Sequence, residues 1–160
     1  MRRRSERGST MVEVAMLTPV IAMLLVGMTQ IAQMTWLYYT LRKTVYSVGT
    51  YLSSQQGVNF CDPADTTVAA AINFGLTGTT DNSEPIFVQD LTADMIRVSG
   101  ETWDAANDTM NPFACLGVGA PDYILVSIPN GYPVRPVIPF FSVIDTIALR
   151  PQVKVPYGGT

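Results

Sequence analysis

The feature that most constrains this chain is a run from Val14 to Leu41 that carries no charged residue, closed off by Glu13 on one side and Arg42 on the other. At a helical rise of about 1.5 Å per residue, roughly 20 residues cross the hydrocarbon core of a bilayer, and this run is longer. A helix built on it can span. A secretory signal peptide shares the basic start and apolar centre, but its apolar part is only about 7–15 residues long and ends at a small-residue cleavage site. Here apolar and aromatic residues continue through Met34, Trp36, Leu37, Tyr38 and Tyr39. That length favours a permanent anchor, and Trp36, Tyr38 and Tyr39 suit the aromatic belt at the membrane interface.

Charge gives the orientation. Arg2, Arg3, Arg4 and Arg7 crowd the N-terminal flank, so the positive-inside rule puts residues 1–8 in the cytoplasm and all that follows the helix outside it. Arg42 and Lys43 oppose this with the smaller charge. Removing the four flanking arginines from 10 basic residues, and Glu6 from 13 acidic ones, leaves 6 and 12 from Ser9 onward, a formal −6. An acidic body is repelled by nucleic acid, which is not expected as a partner.

Only 14% of the residues are charged and 48% are hydrophobic, against about 25% charged in an ordinary soluble domain. The 160 residues leave room for one modest domain beside the anchor. Histidine is absent, which removes the usual general base and the commonest metal ligand. Serines without a base, and Lys43 and Lys154 without motif context, make no nucleophilic site. Asp62, Asp65, Asp81, Asn82 and Glu84 match no calcium loop and read as solvated turns. Neither an enzyme nor a cofactor or metal is expected. Asn107-Asp108-Thr109 fits a glycosylation sequon only at the level of a three-residue coincidence.

Past Arg42, the spacing of Val45, Val48 and Leu52 continues a helix, with Gly57 as its stop. This segment is either a stalk out of the membrane or a helix packed on its own domain. From Asn59 on, Gly, Pro, Asn, Asp and Thr separate short apolar runs, the pattern of strands joined by turns. A short helix is expected over Thr66–Phe74, capped by Asp65 and ended by Gly75. Strands are expected at Ile86–Leu91, Met95–Ser99, Tyr123–Ile128 and Thr146–Val155, the last split or held at an edge by Pro151. The fold class is thus α+β: a long N-terminal membrane-spanning helix, then a small antiparallel β-rich domain. The divisions are a basic leader at 1–8, a transmembrane helix and stalk at 9–56, and an extracytoplasmic domain at 57–160.

Within the span, Pro19 removes one backbone hydrogen bond, and Thr18 is the neighbour placed to satisfy the freed carbonyl. Gln30 and Gln33, beside Gly27 and Thr29, lie on one side at helical spacing. They either face another helix or already lie among headgroups.

The most informative stretch is Glu6-Arg7-Gly8-Ser9-Thr10-Met11-Val12-Glu13-Val14. A carboxylate at the start of an uncharged span is costly in lipid unless it has a partner, although the helix dipole favours it at an N-terminus. A basic leader ending in glycine, then four residues, a glutamate and an apolar helix resembles the type IV prepilin pattern. More narrowly, ERGSTMVEVAMLTPVIAMLLVGMTQIAQ resembles the TadE-like family of tight-adherence pilus systems, with Thr18-Pro19 where that family often has Leu-Pro. The similarity covers mainly residues 6–56, with a weaker echo in Tyr123–Ile128 and Ile147–Val155. Val14 departs from the aromatic residue common after the glutamate.

The resemblance implies that a prepilin peptidase cuts after Gly8, that Ser9 becomes the N-terminus, and that Glu13 is the fifth mature residue and registers subunits during assembly. It implies a pseudopilin or minor pilin in the bacterial inner membrane. Its partners would be other pilin or pseudopilin subunits, met through the N-terminal helix, and the pilus assembly platform. The alternative is an envelope binding module, permanently anchored and never polymerised. Cys61 and Cys115 make no CxxC spacing; in a cytoplasmic protein they would be buried thiols, but outside the membrane they are expected to pair.

Overall fold

The computed structural model describes residues 3–62, 64–115, 119–135 and 146–159, and side chains from Met11 onward. Met1 and Arg2 of the expected leader lie outside the described residues. Helix α1 runs unbroken over Arg3–Ser53, 51 residues, about 77 Å at the standard rise. Its two halves differ in one respect. From Met11 to Val26 every residue is exposed, whereas Leu41, Val45, Val48 and Leu52 are completely buried. Spacings of three and four put those side chains on one stripe, so the second half of α1 is the spine of the domain's core.

Against that stripe pack helix α2 (Thr66–Thr77) and a four-stranded antiparallel sheet. The sheet comprises β1 (Arg97–Asp104), β2 (Thr109–Pro112), β3 (Tyr123–Ser127) and β6 (Gln152–Pro156), in the order β2-β1-β3-β6. The two-residue period turns Ile124 and Val126 of β3 inward, where both are fully buried. Val98 and Val153 stand opposite Val126 in the neighbouring strands and continue the same apolar face. A second, two-stranded sheet pairs β4 (Tyr132–Val134) with β5 (Ile147–Leu149). Tyr132 ties it to the loop after α2, its hydroxyl donating to the carbonyl of Gln89 at 2.6 Å.

Both helices approach their neighbours at glycines. A Cβ on Gly49 would stand 2.9 Å from Val155 Cγ2, and one on Gly75 would run into Val48 Cγ2 and stand 3.1 Å from the Thr44 carbonyl. Gly75 therefore does not end α2 as expected. It lies inside the helix at the crossing with α1, and α2 stops at Thr77 with Gly78 as its left-handed cap, φ 83°. A glycine that serves a close approach carries the same letter as one that serves a stop.

Other expectations also require correction. Ile86–Leu91 is no strand; Val88 and Leu91 are buried, but bends and turns surround them and Asp90 takes φ 61°. Apolar alternation there reflects loop anchoring rather than sheet pairing. The strand placed at Met95–Ser99 starts at Arg97, after a 3-10 turn over Ala93–Met95, and runs on to Asp104. Thr109–Pro112 and Tyr132–Val134 are strands that the periodicity missed, being short and carrying prolines. Pro151 does split the last run, into β5 and β6. Helix α1 ends at Ser53, before Gly57. Pro19 stays inside α1, and the Thr18 hydroxyl donates to the Val14 carbonyl at 2.7 Å. It does not reach the Ala15 carbonyl that the proline leaves without its usual donor, because the hydroxyl returns to the turn below its own residue.

Candidate functional site: the unpacked helix and its junction with the domain

Two regions of α1 could carry function, and sequence chemistry separates them. The first is the lipid-type half. Its most apolar stretch has a mean hydropathy of 2.1 and none of it is buried within the chain. Met11 is 78% exposed and Leu24 59%, so a large apolar cylinder is left for an environment outside the fold. The hydroxyls on this cylinder are satisfied internally. Thr29 donates to the Val26 carbonyl at 2.8 Å, Thr35 to Ile31 at 2.8 Å and Thr40 to Trp36 at 2.9 Å. A helix that satisfies its own polar groups tolerates hydrocarbon.

Glu13 sits on this cylinder, exposed, with no ion pair among the described residues. The backbone of Gly8 and Ser9 is helical, so a protease reaching the bond between them must first unwind the start of α1. Gln30 is half-buried and Gln33 exposed, so the two glutamines do not share one environment.

The second region is the junction. From Leu37 onward α1 has packing on one side, while Trp36, Tyr38 and Tyr39 remain exposed. The far end of α1 is fastened by the C-terminal segment. The backbone N–H of Gly158 donates to the Ser53 carbonyl at 3.2 Å. The Tyr157 hydroxyl donates to the Gln55 carbonyl at 3.0 Å, and its ring meets Phe60 edge-on at 5.2 Å. Carbonyls orphaned at the helix end thus find donors.

Cys61, just past α1, and Cys115, just past β2, are joined, with Cα atoms 5.6 Å apart. The bond ties the α1–α2 connection to the edge hairpin. Across β3, the Lys154 ammonium reaches over to the Glu101 carboxylate on the face of the sheet away from α1.

The carboxylates after Asn59 serve turns. Asp65 caps α2, accepting from the N–H groups of Thr67 at 2.8 Å and Val68 at 3.1 Å. Burial acts on this carboxyl most strongly and raises its pKa, but the combined backbone donors of Val68, Asn59 and Thr67 leave it below the ordinary value. Asp81 accepts from the Ser83 hydroxyl at 2.9 Å, and that bond holds its carboxyl below the ordinary range. Among the described residues no group of three or more His, Cys, Asp or Glu could hold a metal. Asn107 and Asp108 form the β1–β2 turn, where the Asp104 carboxylate accepts from the Asn107 amide at 2.7 Å.

A helix long and apolar enough to cross a membrane runs on without a break into the core of a small α+β domain. Among protein families, a model described as TadE-like protein matches residues 8–49, about a quarter of the chain. The chain carries a TadE-like N-terminal segment, and that family implies a pilin-like protein associated with tight-adherence pili. The matched stretch opens at Gly8, includes Glu13, and ends at the first glycine contact with the sheet; the β-rich part lies beyond it. No curated protein and no solved structure matches the chain.

Proposed function

We propose that this chain is a TadE-like pseudopilin or minor pilin, a structural and not an enzymatic component of a tight-adherence pilus or related secretion system. It resides in the inner membrane through α1, with the β-rich domain outside the cytoplasm. Before assembly a prepilin peptidase removes residues 1–8, and Glu13 then pairs with a positive group, the new amine at Ser9 of a neighbouring subunit.

One observation carries the reading: α1 is a single unbroken helix whose exposed apolar half, from Met11 on, holds one carboxylate, at Glu13, and whose other half lies in the domain core. Such a rod can leave lipid and exchange its apolar contacts for those of sibling helices without disturbing the domain. Glu13 then acts as a register mark, because a carboxylate in an apolar bundle carries a penalty of a few kcal/mol until it finds its cation.

The test is Glu13→Ala in the host that makes the pilus. Insertion and leader removal are expected to proceed normally, while the amount of this chain recovered in sheared filaments drops by at least about tenfold, the effect of losing roughly 1.4 kcal/mol of pairing. Unchanged recovery would refute the role of Glu13.

A further inference from the structure

At the junction, α1 and the loop after α2 enclose an open groove of about 490 Å³ whose lining includes Trp36, Tyr39, Lys43, Gly75 and Phe87. Three of its walls are aromatic and unusually exposed: Trp36 is 69%, Tyr39 63% and Phe87 60% accessible, and Ile86 beside Phe87 is 45% accessible. Exposed apolar residues on a loose loop would mean little, but this loop is fixed. The Phe87 N–H donates to the Leu76 carbonyl at 2.9 Å, and a Cβ on Gly78 would lie 3.1 Å from the Phe87 ring. Val88, next in the chain, is buried. The fold therefore holds Ile86 and Phe87 outward beside the point where α1 leaves its apolar stretch.

We infer that this groove seats the headgroup of a bilayer phospholipid, with Trp36, Tyr39 and Phe87 at the hydrocarbon boundary and the Lys43 ammonium on the phosphodiester. The inference rests on α1 spanning a membrane. Trp36 and Lys43 are seven residues apart, about 10 Å along the helix. A headgroup layer is about 5–8 Å deep on each side of the hydrocarbon, so aromatic rings at one end and an ammonium at the other bracket it.

Charge complementarity favours lipid over a protein occupant. Neither Arg42 nor Lys43 forms an ion pair among the described residues, which leaves two cations at the depth of the phosphates. The domain thus sits flush on the outer leaflet, resting on Ile86 and Phe87 as well as on its anchor.

The experiment uses the full chain in nanodiscs of phosphatidylethanolamine and phosphatidylglycerol, with acyl chains brominated close to the headgroup as quencher for the groove probe and its reference, and brominated near the chain end for the span probe. Three single-tryptophan proteins are compared. Phe87→Trp with Trp36→Phe and Trp103→Phe reports the groove; Leu24→Trp in the same background reports the span; Trp36→Phe alone keeps Trp103, on the edge hairpin, as reference. The Phe87→Trp indole is expected to lose at least about half its emission, as an interfacial ring does, while Trp103 keeps its own. Adding Lys43→Gln is expected to weaken that quenching.

Quenching at Phe87→Trp no greater than at Trp103, with Leu24→Trp still quenched, overturns the groove while leaving the anchor intact. Loss of quenching at both sites overturns the anchor itself. Disulfide cross-linking of Phe87→Cys between two copies, in place of quenching, would assign the groove to a neighbouring subunit and also overturn the inference. Ile86→Trp repeats the test should Phe87→Trp disturb the loop.

Discussion

At the scale of single residues, Asp65 and Gly75 do the most to shape the domain. Asp65 nucleates α2 by accepting two of its first N–H groups. Asp65→Ala is expected to lower the stability of the domain by about 1 kcal/mol at neutral pH, read by urea unfolding of the full chain in micelles through Trp103 fluorescence. The sign of the pH dependence follows from the lowered pKa. A carboxyl whose folded pKa lies below its unfolded one stabilises the fold above the unfolded value, and that contribution disappears as the pH falls through the folded value, here below about pH 4. Asp65→Asn keeps a capping oxygen but does not titrate, so its stability should fall less on acidification than that of the native chain.

Gly75 acts through space rather than charge. Gly75→Ala forces a methyl into Val48 and the Thr44 carbonyl, and after the gain in helix propensity the net loss should be about 1–2 kcal/mol. Val48→Ala should recover part of it in a double-mutant cycle, since the clash with the Thr44 backbone persists. Purely additive losses would show that the close approach is not what Gly75 serves.

At the scale of elements, α1 combines two physical problems in one helix. Its exposed half obeys the rules of lipid, with side chains uncharged apart from Glu13 and self-satisfied hydroxyls, and its other half obeys those of a water-soluble core, with a stripe of three-and-four spacing. The apolar run and the helical stripe were legible in the sequence as local patterns, but the sequence left open whether the stripe formed a stalk or packed on its own domain, and the structure shows it inside the domain's core. The cap at Asp65, strand β3 and the break at Pro151 were legible for the same reason. What escaped depends on distant residues. Gly75 reads as a stop until α1 is seen against it, and Thr109–Pro112 reads as loop until β1 offers it a partner over Glu101–Asp104. Ile86–Leu91 reads as a strand although its buried residues are anchors of a turn. At the candidate site, Gly8, Ser9 and Glu13 came from a local motif, whereas the groove beside Phe87 needed α2 and its loop to bring it to Trp36.

The disulfide belongs to the same scale, since it binds two connections rather than two side chains. Cys61 and Cys115 are 54 residues apart in sequence, and opening a loop of that size should lower stability by about 4 kcal/mol on the chain-entropy account. The double variant Cys61→Ser, Cys115→Ser is expected to unfold at correspondingly lower urea, and reduction of the native protein should reproduce the shift. A shift below about 1 kcal/mol would mean that the connections are held by packing alone.

At the scale of the whole molecule, the proposed function makes an anchor, a register carboxylate and a compact domain parts of one subunit that would begin in a membrane and end in a filament. The centre of that proposal is a new N-terminus created by processing, because cleavage would distinguish a prepilin from a protein merely anchored or from one whose apolar segment is removed. Intact-mass and N-terminal peptide analysis of the chain isolated from its own membranes tests this most directly. A mature protein beginning at Ser9, with α1 otherwise complete and Gly8→Phe leaving the uncut form, is the predicted result. A protein that retains Met1–Gly8, or one cut beyond Tyr39, would contradict it.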